Sequence, residues 1–281
     1  MKRELAVFLA ACTLLLAACA GLAASDPVPL ANQTEEREAH EEPQYGEKTI
    51  AAEEWFYAED GEELAHYQYT LPSIFLRNAD ALSAEEAEKA GQAVDTYNAM
   101  MESLLEDYKE RGTAIYNDAL EIYQMDMLTE PYYDTVSSGG WEAGDILSNC
   151  MVAYTYTGGA HPNSYHRSYL FDLESGQFID PTQLADDPEL FRTGVEELLL
   201  EQAEKDAQRE NFWEDYADVI ARWNEEGLEF DGMGLAVIFS PYELGPYSCG
   251  EIALRLSWEE LEPLLGPGGM ERLGRTEAEE K

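Results

Sequence analysis

Residues 146–157 read ILSNCMVAYTYT, residues 158–163 read GGAHPN and residues 164–173 read SYHRSYLFDL. Val152, Tyr154 and Tyr156 alternate with small or polar neighbours, which is the two-residue period of a half-buried strand. Gly158 and Gly159 supply backbone angles that other residues resist, so the chain turns there and 164–173 returns as a partner strand. Glu174, Ser175 and Gly176 turn it again. Upstream, residues 132–138 read as a further strand, joined to 146–157 by a glycine-rich turn. This block sets the expectation of an antiparallel sheet.

Working outward, 48–58 and 64–71 are β-rich runs separated by Glu59, Asp60 and Gly61, a hairpin signal. Ser83 and Glu86 have capping-box spacing and open a helix. Ala90, Val94, Tyr97, Met101, Leu104 and Tyr108 follow at steps of three and four, one apolar stripe on an amphipathic helix. The pattern continues toward Tyr123 with a break expected near Gly112. A second helix is expected over about 188–209, its inner face marked by Phe191, Val195, Leu198, Leu199 and Gln202. A short aromatic helix is expected over 212–223. Strands at 228–230, 235–239 and 251–256 surround a loop at 240–250, and 258–265 reads as a closing helical turn. The order ββ-α-βββ-α-βββ places strands and helices in blocks. That predicts an α+β fold with antiparallel sheets, two main amphipathic helices and two similar halves.

The N-terminus reads as an export signal. Lys2 and Arg3 precede an uncharged apolar run over 5–16, shorter than the ~20 residues that span a bilayer. Ala17 and Ala18 then lead to Cys19, the arrangement of a lipoprotein signal peptide. The expectation is cleavage after residue 18, lipid on Cys19, and an extracytoplasmic protein anchored to the cell membrane. Residues 19–47, with prolines and many acids, read as a disordered tether. Residues 48–160 and 161–265 read as N- and C-terminal α+β domains, and 266–281 as a flexible tail.

The chain of 281 residues carries a formal charge of −41. Such a surface repels nucleic acid; its plainer reading is solubility, and its functional reading is that it steers cationic proteins toward the chain. Cys150 and Cys249 are either a disulfide or two small buried hydrophobes. The four histidines are His40, His66, His161 and His166. They lack a third ligand near the His161 and His166 pair, so no metal and no cofactor are expected. There is no G-x-S-x-G, no Walker loop and no dinucleotide fingerprint. Acidic pairs such as Glu53 and Glu54 are expected by chance among 58 acids. The chain is therefore not expected to be an enzyme.

Two segments carry a resemblance. YTYTGGAH over 154–161, YLFDLESG over 169–176 and the helix lead-in at Gln183 and Leu184 form the first. FSPYELGPYSCG over 239–250, followed by a strand and Leu261, is the second. Together, over about 148–265, they resemble the RsiV-type extracytoplasmic domain. Residues 48–147 resemble the N-terminal domain that accompanies it and that also precedes the catalytic domain of PdaC-type wall deacetylases. The resemblance implies an α+β receptor domain outside the membrane. In anti-sigma factors of this type the domain binds lysozyme, and binding licenses proteolysis that frees a sigma factor. This sequence shows neither a transmembrane helix nor a sigma-binding segment, so what carries over is the fold and a binding surface.

By the resemblance, the partner surface is Gly158, Gly159 and His161 of the hairpin together with Tyr242 and Tyr247 of the proline-stiffened loop. The plainer reading packs that loop over a sheet edge with its tyrosines half buried, and gives His161 a hydrogen bond to loop backbone or a nearby carboxylate. The expected partners are the membrane, through Cys19, and lysozyme or another cell-wall muramidase, or a wall fragment, bound as sensor or decoy. The alternatives are an enzyme or accessory acting on wall polysaccharide, and a structural envelope lipoprotein without a ligand.

Overall fold

A computed structural model describes residues 41–275, so the expected leader, Cys19 and most of the expected tether lie outside the described residues. The chain forms a mixed α+β fold. The first sheet holds six strands in sequence order. They are β1 (Tyr45–Tyr57), β2 (Glu63–Leu76), β3 (Tyr132–Ala143), β4 (Ile146–Tyr156), β5 (Asn163–Asp172) and β6 (Gln177–Ile179). The second sheet is an antiparallel meander of β7 (Gly227–Phe230), β8 (Gly234–Phe239) and β9 (Ile252–Ser257). The helices are α1 (Ala84–Gln124), α2 (Pro188–Ala203), the single turn α3 (Tyr216–Ile220) and α4 (Trp258–Arg272). Among the described residues no helix is long and apolar enough to cross a membrane.

The capping box at Ser83 forms. The Ser83 side chain accepts from the Glu86 amide, and the Glu86 side chain accepts from the Ser83 amide. From there α1 runs 41 residues without interruption. Its stripe packs on one face of the first sheet. Tyr97 and Met101 are fully buried there against Tyr69, Leu71, Met151 and Phe171, with Val94, Leu104 and Tyr108 at the margin.

The expected break at Gly112 does not occur, and the glycine has a different role. A Cβ on Gly112 would stand 2.4 Å from Cδ1 of Tyr67 and 2.7 Å from the Tyr69 hydroxyl. These two rings stack on each other at 4.7 Å, so neither can swing away freely. Gly112 is the point where helix backbone meets the sheet. Gly112→Ala should therefore lower stability by about 1–3 kcal/mol through overpacking, although alanine favours a helix by roughly 1 kcal/mol. A urea midpoint that rises in this variant would contradict the close approach.

The expectation of purely antiparallel sheets is corrected at one place, because β2 and β3 pair in parallel. The physical reason is α1. A helix this long covers the sheet from end to end and returns the chain to the end where β2 began, so β3 runs in the same direction. The parallel ladder is short, joining 65–69 to 132–136, and the two strands then splay. Where they part, Asn98 of α1 takes the place of a neighbouring strand. Its Oδ1 accepts from the Ile74 amide at 2.9 Å and its Nδ2 donates to the Ile74 carbonyl at 3.0 Å.

The opposite face of β4 and β5 carries a second core. Leu147, Met151 and Ala153 face α1, whereas Ile146 and Leu170 join the core of β7–β9, α2 and α4 around Phe191, Trp223 and Phe239. Ser168 ties the two sheets together, since its hydroxyl accepts from the Leu228 amide and donates to the Leu228 carbonyl.

Three further expectations change. The two halves are not alike, since one pairs six strands with a single long helix and the other three strands with α2 and α4. The boundary placed between 160 and 161 falls in the β4–β5 hairpin, whose strands are paired along their length. The tail expected from Gly266 is docked through Leu273. That side chain is fully buried, and Arg272 forms an ion pair with Asp172 at 3.0 Å and donates to the Gln183 carbonyl. Asp186 receives the turn, accepting from the Gly268 amide.

Candidate functional site

The two loops singled out from sequence meet in space. Tyr156 holds the hairpin by donating to the Gly159 carbonyl at 3.2 Å. Gly158 and Gly159 have φ of 87° and 99°, and a Cβ on Gly158 would stand 3.2 Å from the Tyr132 hydroxyl. Beyond them His161 projects toward the β8–β9 loop.

That loop begins with a tight turn. The Glu243 amide donates to the Ser240 carbonyl, Pro241 occupies the second position, and Tyr242 occupies the third with φ of 77°. This is the position of a type II turn that glycine normally fills. A bulky residue at positive φ is strained, and the surroundings must hold it. The Ser240 amide donates to the Glu243 carboxylate, and the Ser240 hydroxyl accepts from the His166 amide. Leu244 is buried in the second core, and its carbonyl accepts from the Trp213 amide. The Trp213 indole donates to the Tyr242 carbonyl at 3.2 Å.

His161, Tyr242 and Tyr247 form one cluster. The imidazole stacks on Tyr247 with centroids 3.5 Å apart and planes 10° from parallel. Nδ1 lies 3.0 Å from the Pro162 carbonyl, an acceptor only, so Nδ1 carries the proton. Nε2 is then free to accept from the Tyr242 hydroxyl, 3.0 Å away. Both ring nitrogens are thereby committed to holding the loops together. Tyr242 stays 50% exposed and Tyr247 half-buried. Gly158 and Gly159 shape the hairpin behind His161.

The remaining singled-out residues lie apart from this cluster. His166 is buried. Its Nε2 stands 2.9 Å from the Glu251 carboxylate, which also accepts from Ser164, and its Nδ1 lies 3.9 Å from the Cys150 sulfur. The contact with His166 holds Glu251 below the usual carboxylate range. Cys150 and Cys249 are both free thiols, so the candidate disulfide is not formed. Burial pushes the Cys150 thiol up to about 11, which leaves it inert as a nucleophile at neutral pH.

Beside Tyr242 opens a cleft of about 600 Å³ that sequence reasoning missed. Trp213 and Tyr242 stand at its sides, with Arg222, Glu226 and Glu243 among its lining. Glu226 and Glu243 are hydrogen-bonded to each other. Burial, and then the neighbouring Glu243 carboxylate, push Glu226 up to about 8. Burial likewise raises Glu243. The pair therefore shares a proton at neutral pH. Nothing around Glu226 in the sequence marks it out, since only the fold closes the distance to the turn that carries Glu243.

No protein-family model matches the chain, and no curated protein matches it in sequence. Solved structures do match in shape. A crystal structure of a DUF3298 family member from Bacteroides fragilis is 15% identical with a TM-score of 0.57, over 83% of this chain and 98% of that one. The chain is similar in fold to that structure. A DUF3298 family protein from Pseudomonas aeruginosa is 14% identical with a TM-score of 0.47, over 80% of this chain and 96% of that one. At these identities the likeness concerns the fold alone.

Proposed function

We propose that the chain is a lipid-anchored extracytoplasmic binding protein, not an enzyme, and that the His161, Tyr242 and Tyr247 surface docks a cationic cell-wall muramidase of the lysozyme type. The observation that carries this is the strained, half-exposed Tyr242, held at positive φ by a turn, a tryptophan and a histidine from a second loop. Strain of this kind is retained where a site needs it. Tyrosines on a fixed scaffold are favoured interface anchors. The charge of −41 steers a basic partner toward the protein, and the acidic cleft continues the surface beside Tyr242. Anchoring through Cys19 follows from the leader sequence.

The alternative of catalysis on wall polysaccharide is less well supported. Its best feature is the cleft between Trp213 and Tyr242. However, glycosidase carboxyls stand roughly 5–9.5 Å apart, and Glu226 and Glu243 touch. His161 has neither nitrogen free to act as a base.

Tyr242→Ala and Tyr247→Ala are each expected to weaken lysozyme binding at least ~10-fold, about 1.4 kcal/mol or more. Calorimetry on folded variants reads this directly. Unchanged affinity in both would remove the cluster as the docking surface.

A further inference from the structure

The first sheet ends on a strand whose outer side is bare. β1 is an edge strand of 13 residues, and its only strand neighbour is β2. Among the described residues nothing bonds to the backbone groups on its other side. The other edge strands are short, with three residues in β6, four in β7 and six in β9. A long open edge is a template for another strand, and proteins blunt such edges with proline, bulges or charge. β1 has no proline, and its irregularity lies at its far end, between Phe56 and Tyr57. Its one lysine, Lys48, could blunt the edge, but β1 also carries the matching counter-charge.

Ile50 and Ala52 pack toward the core under α1, and Glu54 accepts from Tyr67 of that core. Side chains alternate along a strand, so Lys48 lies on this face too. Lys48 is exposed and forms no ion pair among the described residues, although the chain holds 58 acids against 17 bases. When two strands pair antiparallel, directly opposed residues point to the same face of the joined sheet. Glu54 is the only acid of β1 on the α1 face, so a single register gives Lys48 a direct partner. In that register a two-fold axis passes through Ala51. Lys48 stands opposite the partner's Glu54, and Glu54 opposite the partner's Lys48. Ile50 meets the partner's Ala52, and Tyr45 meets the partner's Tyr57, so the whole strand is used. Small Ala51 and Ala52 leave the centre unobstructed. A surface that complements its own copy is what a two-fold interface requires.

We propose that β1 is a dimerisation edge, at which two copies of the chain pair antiparallel about Ala51 and join their six-stranded sheets into one. This surface shares no residue with the His161, Tyr242 and Tyr247 cluster, and the proposal does not rest on that reading. The charge of −41 on each copy opposes association at long range. At about 150 mM salt that repulsion is screened beyond ~8 Å, whereas the Lys48 and Glu54 contacts act within it.

Ala51→Cys in purified residues 25–281 tests the register. Opposed residues of antiparallel strands have Cα atoms about 4.5–5.5 Å apart, within disulfide reach. Thr49→Cys is the control, because it would lie about 14 Å from its own copy. Both positions are exposed, so both variants should fold. Under mild oxidation Ala51→Cys should form at least ~10-fold more disulfide-linked dimer than Thr49→Cys. Sedimentation of the parent chain should show monomer and dimer in equilibrium and nothing larger, since the pairing closes on itself. Lys48→Glu should weaken the dimer at least ~5-fold by setting like charges opposite each other. Lys48→Glu combined with Glu54→Lys should restore it, because the charges are only exchanged. A chain that stays monomeric at millimolar concentration, equal cross-linking of the two cysteine variants, or a Lys48→Glu dimer as strong as the parent's would each overturn the proposal.

Discussion

Arg111→Ala is expected to lower the unfolding free energy by about 2–3 kcal/mol, less than the roughly 3–5 kcal/mol of a wholly buried pair, because Asp134 is buried but the Arg111 side chain is 37% exposed. Asp134 on β3 is 0% exposed, and its carboxylate is satisfied on all sides. Arg111 of α1 donates to both oxygens, from Nε at 2.8 Å and from Nη2 at 2.9 Å. The Tyr69 hydroxyl donates at 2.6 Å and the Thr155 hydroxyl at 2.5 Å. These groups come from α1, β2, β3 and β4, so the carboxylate ties the helix to three strands. Burial, and then the bond to Asp134, raise the Tyr69 phenol, which keeps it a donor at any ordinary pH. Without Arg111, a charge stays in the core with only two neutral donors. The cost comes from the stranded carboxylate rather than from the lost pair. The double variant Arg111→Leu with Asp134→Leu should therefore recover much of the loss. Urea unfolding of the three proteins decides this. A loss under about 0.5 kcal/mol in Arg111→Ala would mean that water reaches Asp134.

The second large effect depends on pH. Glu226 in the folded protein titrates at about 8 against an ordinary value near 4.5, because burial and Glu243 disfavour its charge. The folded state therefore holds a proton that the unfolded state has lost across that window. Stability should fall as pH rises from about 4.5 to about 8, and stay low above it. Glu226→Gln keeps the shape and a donor toward Glu243 but carries no charge at any pH. It should match the parent at pH 4–5 and exceed it at pH 9 by on the order of 1–3 kcal/mol. This figure is reduced from the full shift because the cleft is open and its charges are screened. Thermal unfolding across pH 4–9 gives both curves. Parallel curves would show that Glu226 ionises freely in the folded protein.

Much of this architecture is legible in the sequence because local chemistry dictates it. The Ser83 and Glu86 pair fixes the start of α1, and the alternation around Val152, Tyr154 and Tyr156 marks β4 as a strand, although Met151 and Ala153 are its buried set and Tyr154 is exposed. The paired glycines fix the hairpin. What resisted reading depends on contacts distant in sequence. Gly112 looks like a helix breaker until the rings of Tyr67 and Tyr69 arrive beside it. The parallel β2–β3 pair follows from the length of α1 rather than from either strand. Gly266 and Pro267 suggest a fraying end, yet Asp186 and Asp172 hold the chain that follows.

The candidate site divides in the same way. Tyr242, Tyr247 and His161 could be picked out by turn chemistry and by resemblance, but a bond spanning 81 residues could not. Glu226 is one acid among 58, and only its burial against Glu243 distinguishes it.

The central claim is met most directly by calorimetric titration of purified residues 25–281 with a basic lysozyme at about 150 mM salt. Surface attraction is already screened beyond ~8 Å there, so charge alone contributes little. The account predicts saturable one-to-one binding that persists at this salt and is lost in Tyr247→Ala. An absence of heat, or affinity that disappears as salt rises from low values, would contradict it.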